Sequence, residues 1–594
     1  MASGAEVRVV AAIRVPLLRR SPPHLEQIPL SLFDVWFLPQ PPIQRLFLYD
    51  DDGGGGGADD YFPSLVESLR SSLADAVAVF FPLAGKLTYV PSTGDVVVDC
   101  SPSAVGDGVA FLEAESDGDA RALSAAKRHD VPAFLRLVPS LEAPELPAPV
   151  LAVQVTRFVG GGDRGGVAVG VAVHHAVADG LSFWRFMDVW SAAARGRPSP
   201  PAPVFDRSAI VHPMAADVAR RILRKVTPEL PLVISIFVSP HRELVEANVA
   251  TPRHDHAPSA VADGVAFLEV EVDGGTPART PTERLDVPAF LRLVPSLEVP
   301  ELPAPVLAVQ ATRFVGGGGG GGVAVGVAVH HAVADGQSFW RFMDAWSAAA
   351  RGRPSPPAPA FDRSAIVHPM AADMARRILQ LDSHRIGHIK NRIAELDEAT
   401  TASPGTERRP RRLPSTFVAV AALVWSSVVR ARASRQPDDG ARAHLVFPAD
   451  CRRRLDPPVD AAYFGNCVRC CVAGAAAGDL ADAHRGVLHA REAIREAIDG
   501  FLEHPMVEAF DAWIDAVAAL VRQPGFVAVT ASPRFQVYEV DLGWGAPSRV
   551  EFASESLPNG MVAMTAGRKE ASVQVMATLR PEHMEAFRSQ LLYW

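Results

Sequence analysis

The pattern of apolar positions is clearest at Val167–Val173, where VAVGVAV is an unbroken run of small and β-branched residues suited to a buried strand. From Leu181 to Ala194, Phe183, Phe186, Met187 and Trp190 recur at i, i+3, i+4 and i+7, which predicts an amphipathic helix with one apolar face. The intervening HHAVADG, His174–Gly180, then falls in the turn between a strand's end and a helix's start, and Gly180 permits the backbone angles such a turn needs. Another strand is predicted at Val150–Val155. Ser415–Ala431 has the apolar content and length of a buried helix, with Ser415 or Thr416 as its N-cap. Between such elements, Asp50–Asp60 (DDDGGGGGADD) reads as a surface loop. Arg195–Pro203 and Arg351–Pro359 read as Pro-rich linkers, and Ala399–Arg412 as a polar crossover.

The pattern occurs twice. Ala104–Leu223 aligns without a gap to Ala260–Leu379 at an offset of 156 residues, and 100 of the 120 aligned positions are identical. Solenoid repeats are shorter, more numerous and more divergent, so this is a segmental duplication or a fault in the assembled coding sequence. Each copy carries strands that must pair and bury their apolar faces. If the parent fold has one slot for the segment, the second copy is expected to lack a proper partner and to expose apolar surface.

Composition narrows the class only a little. The 594 residues allow more than one sizeable core, and the formal net charge of −9 comes without a Lys/Arg run that would suit nucleic acid. No stretch reaches the roughly 18 consecutive apolar residues of a membrane span, and the Arg-interrupted N-terminus does not look like a signal peptide. The five cysteines, Cys100, Cys451, Cys467, Cys470 and Cys471, lack the spacing of a zinc site and form no even disulfide framework. The expectation is a cytoplasmic monomer with reduced thiols, no bound metal, and no nucleic-acid or membrane partner.

A histidine at a strand end can take up a proton and return it near neutral pH. An Asp four residues on, in the same turn, either orients the imidazole or braces the turn through hydrogen bonds. Both roles stay open for His175 with Asp179, and for His331 with Asp335 in the second copy. Serine-triad chemistry has no support, because no G-x-S-x-G elbow is present.

HHAVADG followed by a helix resembles the H-x-x-x-D-G motif that BAHD acyltransferases share with chloramphenicol acetyltransferases and peptide-synthetase condensation domains. Asp541-Leu542-Gly543-Trp544-Gly545 is similar to the D-F-G-W-G motif that selects the BAHD family, with Leu542 for Phe. Pro29–Asp34 (PLSLFD), Phe81–Gly85 (FPLAG), Ser415–Phe417 and Tyr538–Asp541 are similar as well. Tyr463–Cys467 (YFGNC) resembles a motif of the branch that acylates anthocyanins and other flavonoid glycosides. The resemblance runs from residue 29 to beyond 550, and the 438 residues left after removing one copy fit a normal family length.

The resemblance implies an α/β (α+β) fold of two similar chloramphenicol-acetyltransferase-like domains, each a mixed sheet with flanking helices, with the active-site channel between them. It divides the chain into residues 1–223, an N-terminal domain with the first HxxxD, 224–379, a linker plus the second copy, and 380–594, a crossover and C-terminal domain. It implies acyl-CoA as co-substrate, with no permanently bound cofactor, and a phenolic or glycoside acceptor whose hydroxyl receives a malonyl or hydroxycinnamoyl group. The general base implied is His175 or His331, with copy one favoured because it can fold first with residues 1–103. Asp179 or Asp335 is implied to turn away from the channel onto an Arg, for which Arg452 is the candidate. The loop with Gly543, Trp544 and Gly545 is implied to be structural, with Asp541 as a secondary proton acceptor. Ser415, Thr416 and Arg549 are candidates for the CoA side. The contrasting expectation is a pseudoenzyme whose channel the extra copy disrupts.

Overall fold

The computed structural model describes residues 5–50, 58–126, 131–141, 146–160, 165–207, 210, 215–219, 232–239, 266–273, 292–295, 306–315, 323–330, 336–354, 356–357, 374–401, 412–433, 441–506, 510–521, 523–554 and 557–594. The apolar run forms a strand, Gly166–Val173, with every residue buried, because strands cover it on both edges and helices pack on the sheet. Its six-stranded sheet runs Val7–Val15, Val109–Ser116, Leu151–Phe158, Gly166–Val173, Ile43–Tyr49 and Arg549–Ala553 in spatial order. One pair, Val109–Ser116 with Leu151–Phe158, is parallel and the other pairs are antiparallel. The last strand comes from the C-terminal part of the chain.

A second six-stranded sheet runs Ala375–Leu381, Val573–Leu579, Met561–Ala566, Phe526–Thr530, Arg442–Asp450 and Val468–Ala476, with Phe526–Thr530 parallel to both its neighbours and the other pairs antiparallel. A four-stranded sheet, Gln27–Pro29, Asp95–Asp99, Lys86–Val90 and Ala148–Pro149, completes this part. The predicted helix appears as Gly180–Ala194, with Phe183, Phe186, Met187 and Trp190 all buried as its face requires. The apolar segment near residue 415 forms the Thr416–Arg432 helix, capped by Ser415, whose hydroxyl accepts from the Val418 amide. Of the loop expected at Asp50–Asp60, residues 51–57 lie outside the described residues, while Ala58 already starts a helix that runs to Val79.

The chain divides into two compact units, residues 1–223 with 368–594, and residues 224–367. The first unit takes its histidine-bearing strand, turn and helix from copy one. Its C-terminal sheet takes an edge strand, Ala375–Leu381, whose first five residues are the end of copy two and lie in the 224–379 segment expected to hold only the linker and the second copy. Chain continuity accounts for this choice. Copy one follows residues 1–103 directly, copy two leads directly into residue 380, and a long intervening loop adds little closure entropy.

The second unit repeats the local structure of the first copy. Leu307 faces Val329 as Leu151 faces Val173, and Ala266 faces Ala308 as Ala110 faces Ala152. The Gln310 amide donates to the Arg292 carbonyl at 2.9 Å, matching Gln154 to Arg136 at 2.8 Å. The expectation that this copy lacks a strand partner needs correction. Leu232–Ser239 (LVISIFVS), from the linker, pairs antiparallel with Val323–His330, as Ile43–Tyr49 pairs with Gly166–Val173. Its β-branched and aromatic composition suits a strand. The helix face is covered less well: Trp340 is 54% exposed where its counterpart Trp184 is 7% exposed, and Phe342 is 39% exposed.

Candidate active site

In the first unit the turn His174–Asp179 closes the Gly166–Val173 strand and opens the Gly180–Ala194 helix. Asp179 is that helix's N-cap: its Oδ1 accepts from the Ser182 amide at 2.9 Å. Its Oδ2 accepts from Arg452 Nη2 at 2.8 Å and from the Cys467 amide at 3.2 Å. Both side chains of the ion pair are 1% exposed. Arg452 also donates to the Gly465 carbonyl at 3.0 Å and to Asp450 at 3.0 Å. The Asp of the motif is therefore committed to a cap and a buried ion pair, and it makes no hydrogen bond to the imidazole.

The histidine is held from elsewhere. Asn466 Nδ2 donates to the His175 carbonyl at 2.8 Å, and to Asp34 Oδ1 at 3.0 Å. The other oxygen of Asp34 accepts from the Ser31 hydroxyl at 2.5 Å and from Arg207, which is itself buried. PLSLFD, HHAVADG and YFGNC thus meet at one point through Asp34, His175 and Asn466. The ring of Phe37 stacks on the His175 imidazole, centroids 4.0 Å apart and planes within 2°. Burial lowers the His175 pKa to about 4; the Arg45 cation adds to that, while its own backbone carbonyl, Asp179 and Asn466 act in the opposite sense. The imidazole is neutral at physiological pH, the form that accepts a proton.

Asp541 Oδ1 accepts from the Gly543 and Gly545 amides, each at 2.9 Å, so the carboxylate closes its own loop. Both glycines have positive φ, +113° and +107°, which a side chain would strain. Ser191 on the motif helix bonds the Asp541 backbone in both directions, at 2.7 and 3.2 Å, and the Trp544 ring meets Tyr49 edge-on at 5.0 Å. Leu542 is buried in the core.

Arg549 corrects an expectation. Its side chain is 7% exposed and pairs with buried Glu551, and its Nη1 donates to the carbonyls of Leu123, Ser124 and Ala126. A guanidinium so engaged ties the crossing strand to the N-terminal half and does not face a phosphate. Ser415 and Thr416 stand at a helix start whose cap is exposed. His331 and Asp335 lie outside the described residues. Asp34, Phe37, Arg207 and Asn466 join the site although no local pattern marks them for it; Asp34 and Asn466 do lie within PLSLFD and YFGNC. Among the described residues no cluster of three or more His, Cys, Asp or Glu could hold a metal ion, and no helix is long and apolar enough to cross a membrane.

A profile of the Transferase family matches residues 19–237 and 259–592. The chain belongs to the BAHD acyltransferase family. Among BAHD relatives it is 32% identical over 330 residues to the BAHD acyltransferase DCR of Arabidopsis thaliana, an alignment covering 50% of this chain and 64% of that protein. It is 26% identical to the malonyl-coenzyme:anthocyanin 5-O-glucoside-6'''-O-malonyltransferase of Salvia splendens, covering 62% and 83%. To phenolic glucoside malonyltransferase 1 of Arabidopsis thaliana it is 21% identical, covering 93% and 89%. The crystal structure of vinorine synthase superposes with a TM-score of 0.56 at 15% identity, covering 99% of this chain and 98% of that one, a likeness of fold. The BAHD chain described here is thus a transferase with the mixed-sheet, two-half architecture of that fold.

Proposed function

We propose that this protein transfers an acyl group from CoA to a hydroxyl of a phenolic or flavonoid glycoside, with His175 as general base. The acceptor hydroxyl gives its proton to the neutral imidazole while its oxygen bonds to the thioester carbonyl carbon. The tetrahedral intermediate then breaks its C–S bond, and the imidazolium returns the proton to the departing thiolate, giving the ester and free CoA. Asp179 and Arg452 hold the turn, Asn466 and Phe37 hold the histidine, and Asp541 keeps its loop closed rather than taking part in proton transfer. The start of the Thr416–Arg432 helix is the candidate for contacting the CoA phosphates. Named relatives that use malonyl groups and anthocyanin or phenolic glucosides support a malonyl donor, with a hydroxycinnamoyl donor as the other candidate.

The observation that carries this reading is the neutral, stacked His175 in a turn fixed by an ion pair that leaves the imidazole unencumbered. The test is thiol release from malonyl-CoA and from a hydroxycinnamoyl-CoA in the presence of flavonoid glucosides. His175→Ala should lower the rate by about 10²- to 10⁴-fold, and His331→Ala should leave it unchanged. Equal loss from both variants, or no turnover by the folded wild type, overturns it.

A further inference from the structure

Beyond the histidine turn, a cavity of about 500 Å³ opens beside the motif helix. Leu181 and Arg185 from that helix, Arg453 and Arg454 from the loop after Arg442–Asp450, and Arg534 from the loop before Asp541 line it. Arg452 reaches the same wall, but its Nη1 and Nη2 are used by Asp450, Asp179 and Gly465. Asp450 is the one carboxylate on the wall, and it is held by Arg452 at 3.0 Å. Among the described residues Arg185, Arg453 and Arg534 have no carboxylate within 4.0 Å. Arg454 spends one nitrogen on the Asp450 carbonyl and lies over the Phe501 ring. Four further guanidiniums therefore converge on one concavity; Asp179, Asp460 and Asp188 act on Arg185 from beside it, and among the described lining residues the guanidiniums still outnumber the one carboxylate, Asp450. Such an array repels itself unless an anion enters.

We propose that this cavity is a binding site for a phosphate-bearing anion with at least two phosphate groups. Guanidinium forks match phosphate oxygens bidentately, and a lone carboxylate would leave most of the four cations unanswered. The volume lies within the range of small-molecule sites. The phosphates are those of the CoA donor or of a separate phosphate-bearing ligand; the chemistry is shared, and the experiment separates the sources.

Inorganic pyrophosphate is titrated calorimetrically into the full chain at low ionic strength, for the wild type, the Arg453→Ala/Arg534→Ala double variant and an Arg588→Ala control. Both substituted cavity residues are exposed, so circular dichroism should be unchanged. The expected result is one site per chain, weakened at least about tenfold in the double variant, partly restored by Lys at both positions, and unaffected in the control. CoA titrated into the same proteins then assigns the source. A parallel loss of CoA affinity makes the cavity the donor's phosphate site, and unchanged CoA affinity makes it the site of another ligand. Absence of pyrophosphate binding at millimolar concentration, or equal binding by wild type and double variant, overturns the proposal.

Discussion

Replacing Arg452 by Met tests the central ion pair. The substitution keeps much of the side-chain volume but leaves the Asp179 carboxylate, 1% exposed, without its cation. Removing one partner of a buried pair costs about 3–5 kcal/mol. The low end applies here, because Asp179 keeps the Ser182 and Cys467 amides at 2.9 and 3.2 Å. A loss of about 3 kcal/mol corresponds to a fall in Tm of roughly 3 °C for a unit of this size. The damage should reach chemistry as well. Asp179 caps the helix that begins right after the His175 turn, and a misplacement of about 1 Å at a reacting group costs about 10²-fold in rate. Thermal unfolding followed by circular dichroism gives the first quantity, and thiol release under saturating acyl-CoA gives the second. Asp179→Asn retains the Oδ1 cap and removes the charge, so the Asp179→Asn/Arg452→Met protein should melt above Arg452→Met alone. A single variant within about 1 kcal/mol of wild type, or strict additivity in the double variant, refutes the assignment of a coupled buried pair.

Four other outcomes are expected. The acid limb of kcat/KM should titrate near 4 rather than 6.5, since desolvation depresses the His175 pKa to about 4; a limb near 6.5 in the pH–rate profile contradicts that shift. The same shift has a stability consequence: between pH 6.5 and 4 the unfolded state binds the proton and the folded state does not, so His175 lowers stability as pH falls through that window. His175→Gln should flatten that part of a Tm-against-pH curve. Deleting residues 224–379 rejoins identical sequence and leaves 438 residues; the shortened protein should keep acyl transfer and, without the exposed Trp340 and Phe342, self-associate less in sedimentation velocity. Gly545→Ala, at φ +107°, should cost about 1–3 kcal/mol of strain. A Tm equal to wild type would contradict that.

Several features follow from the sequence because they rest on local periodicity or on chemistry carried within a short segment. The strand at Val167–Val173, the helix with Phe183, Phe186, Met187 and Trp190 on one face, and the Ser415 cap are of this kind, since burying one face of a strand or helix leaves little choice of conformation. The family resemblance is legible for the same reason: each motif is contiguous.

Tertiary structure decides what depends on residues far apart in the chain. Asp34 and Asn466 are 432 positions apart and share a hydrogen bond on which the His175 carbonyl also depends, and no local pattern marks them as partners. Arg549 looks like a surface cation until strand pairing buries it against Glu551. The copies themselves are the sharpest case. With 100 of 120 positions identical, local propensity cannot choose between them. The choice falls to chain continuity, which joins copy one to residues 1–103 and the end of copy two to the C-terminal sheet, while the linker's Leu232–Ser239 supplies the displaced copy with a strand to pair. HHAVADG names a chemistry wherever it stands; the fold brings Arg452 to Asp179 and Asn466 to the His175 carbonyl.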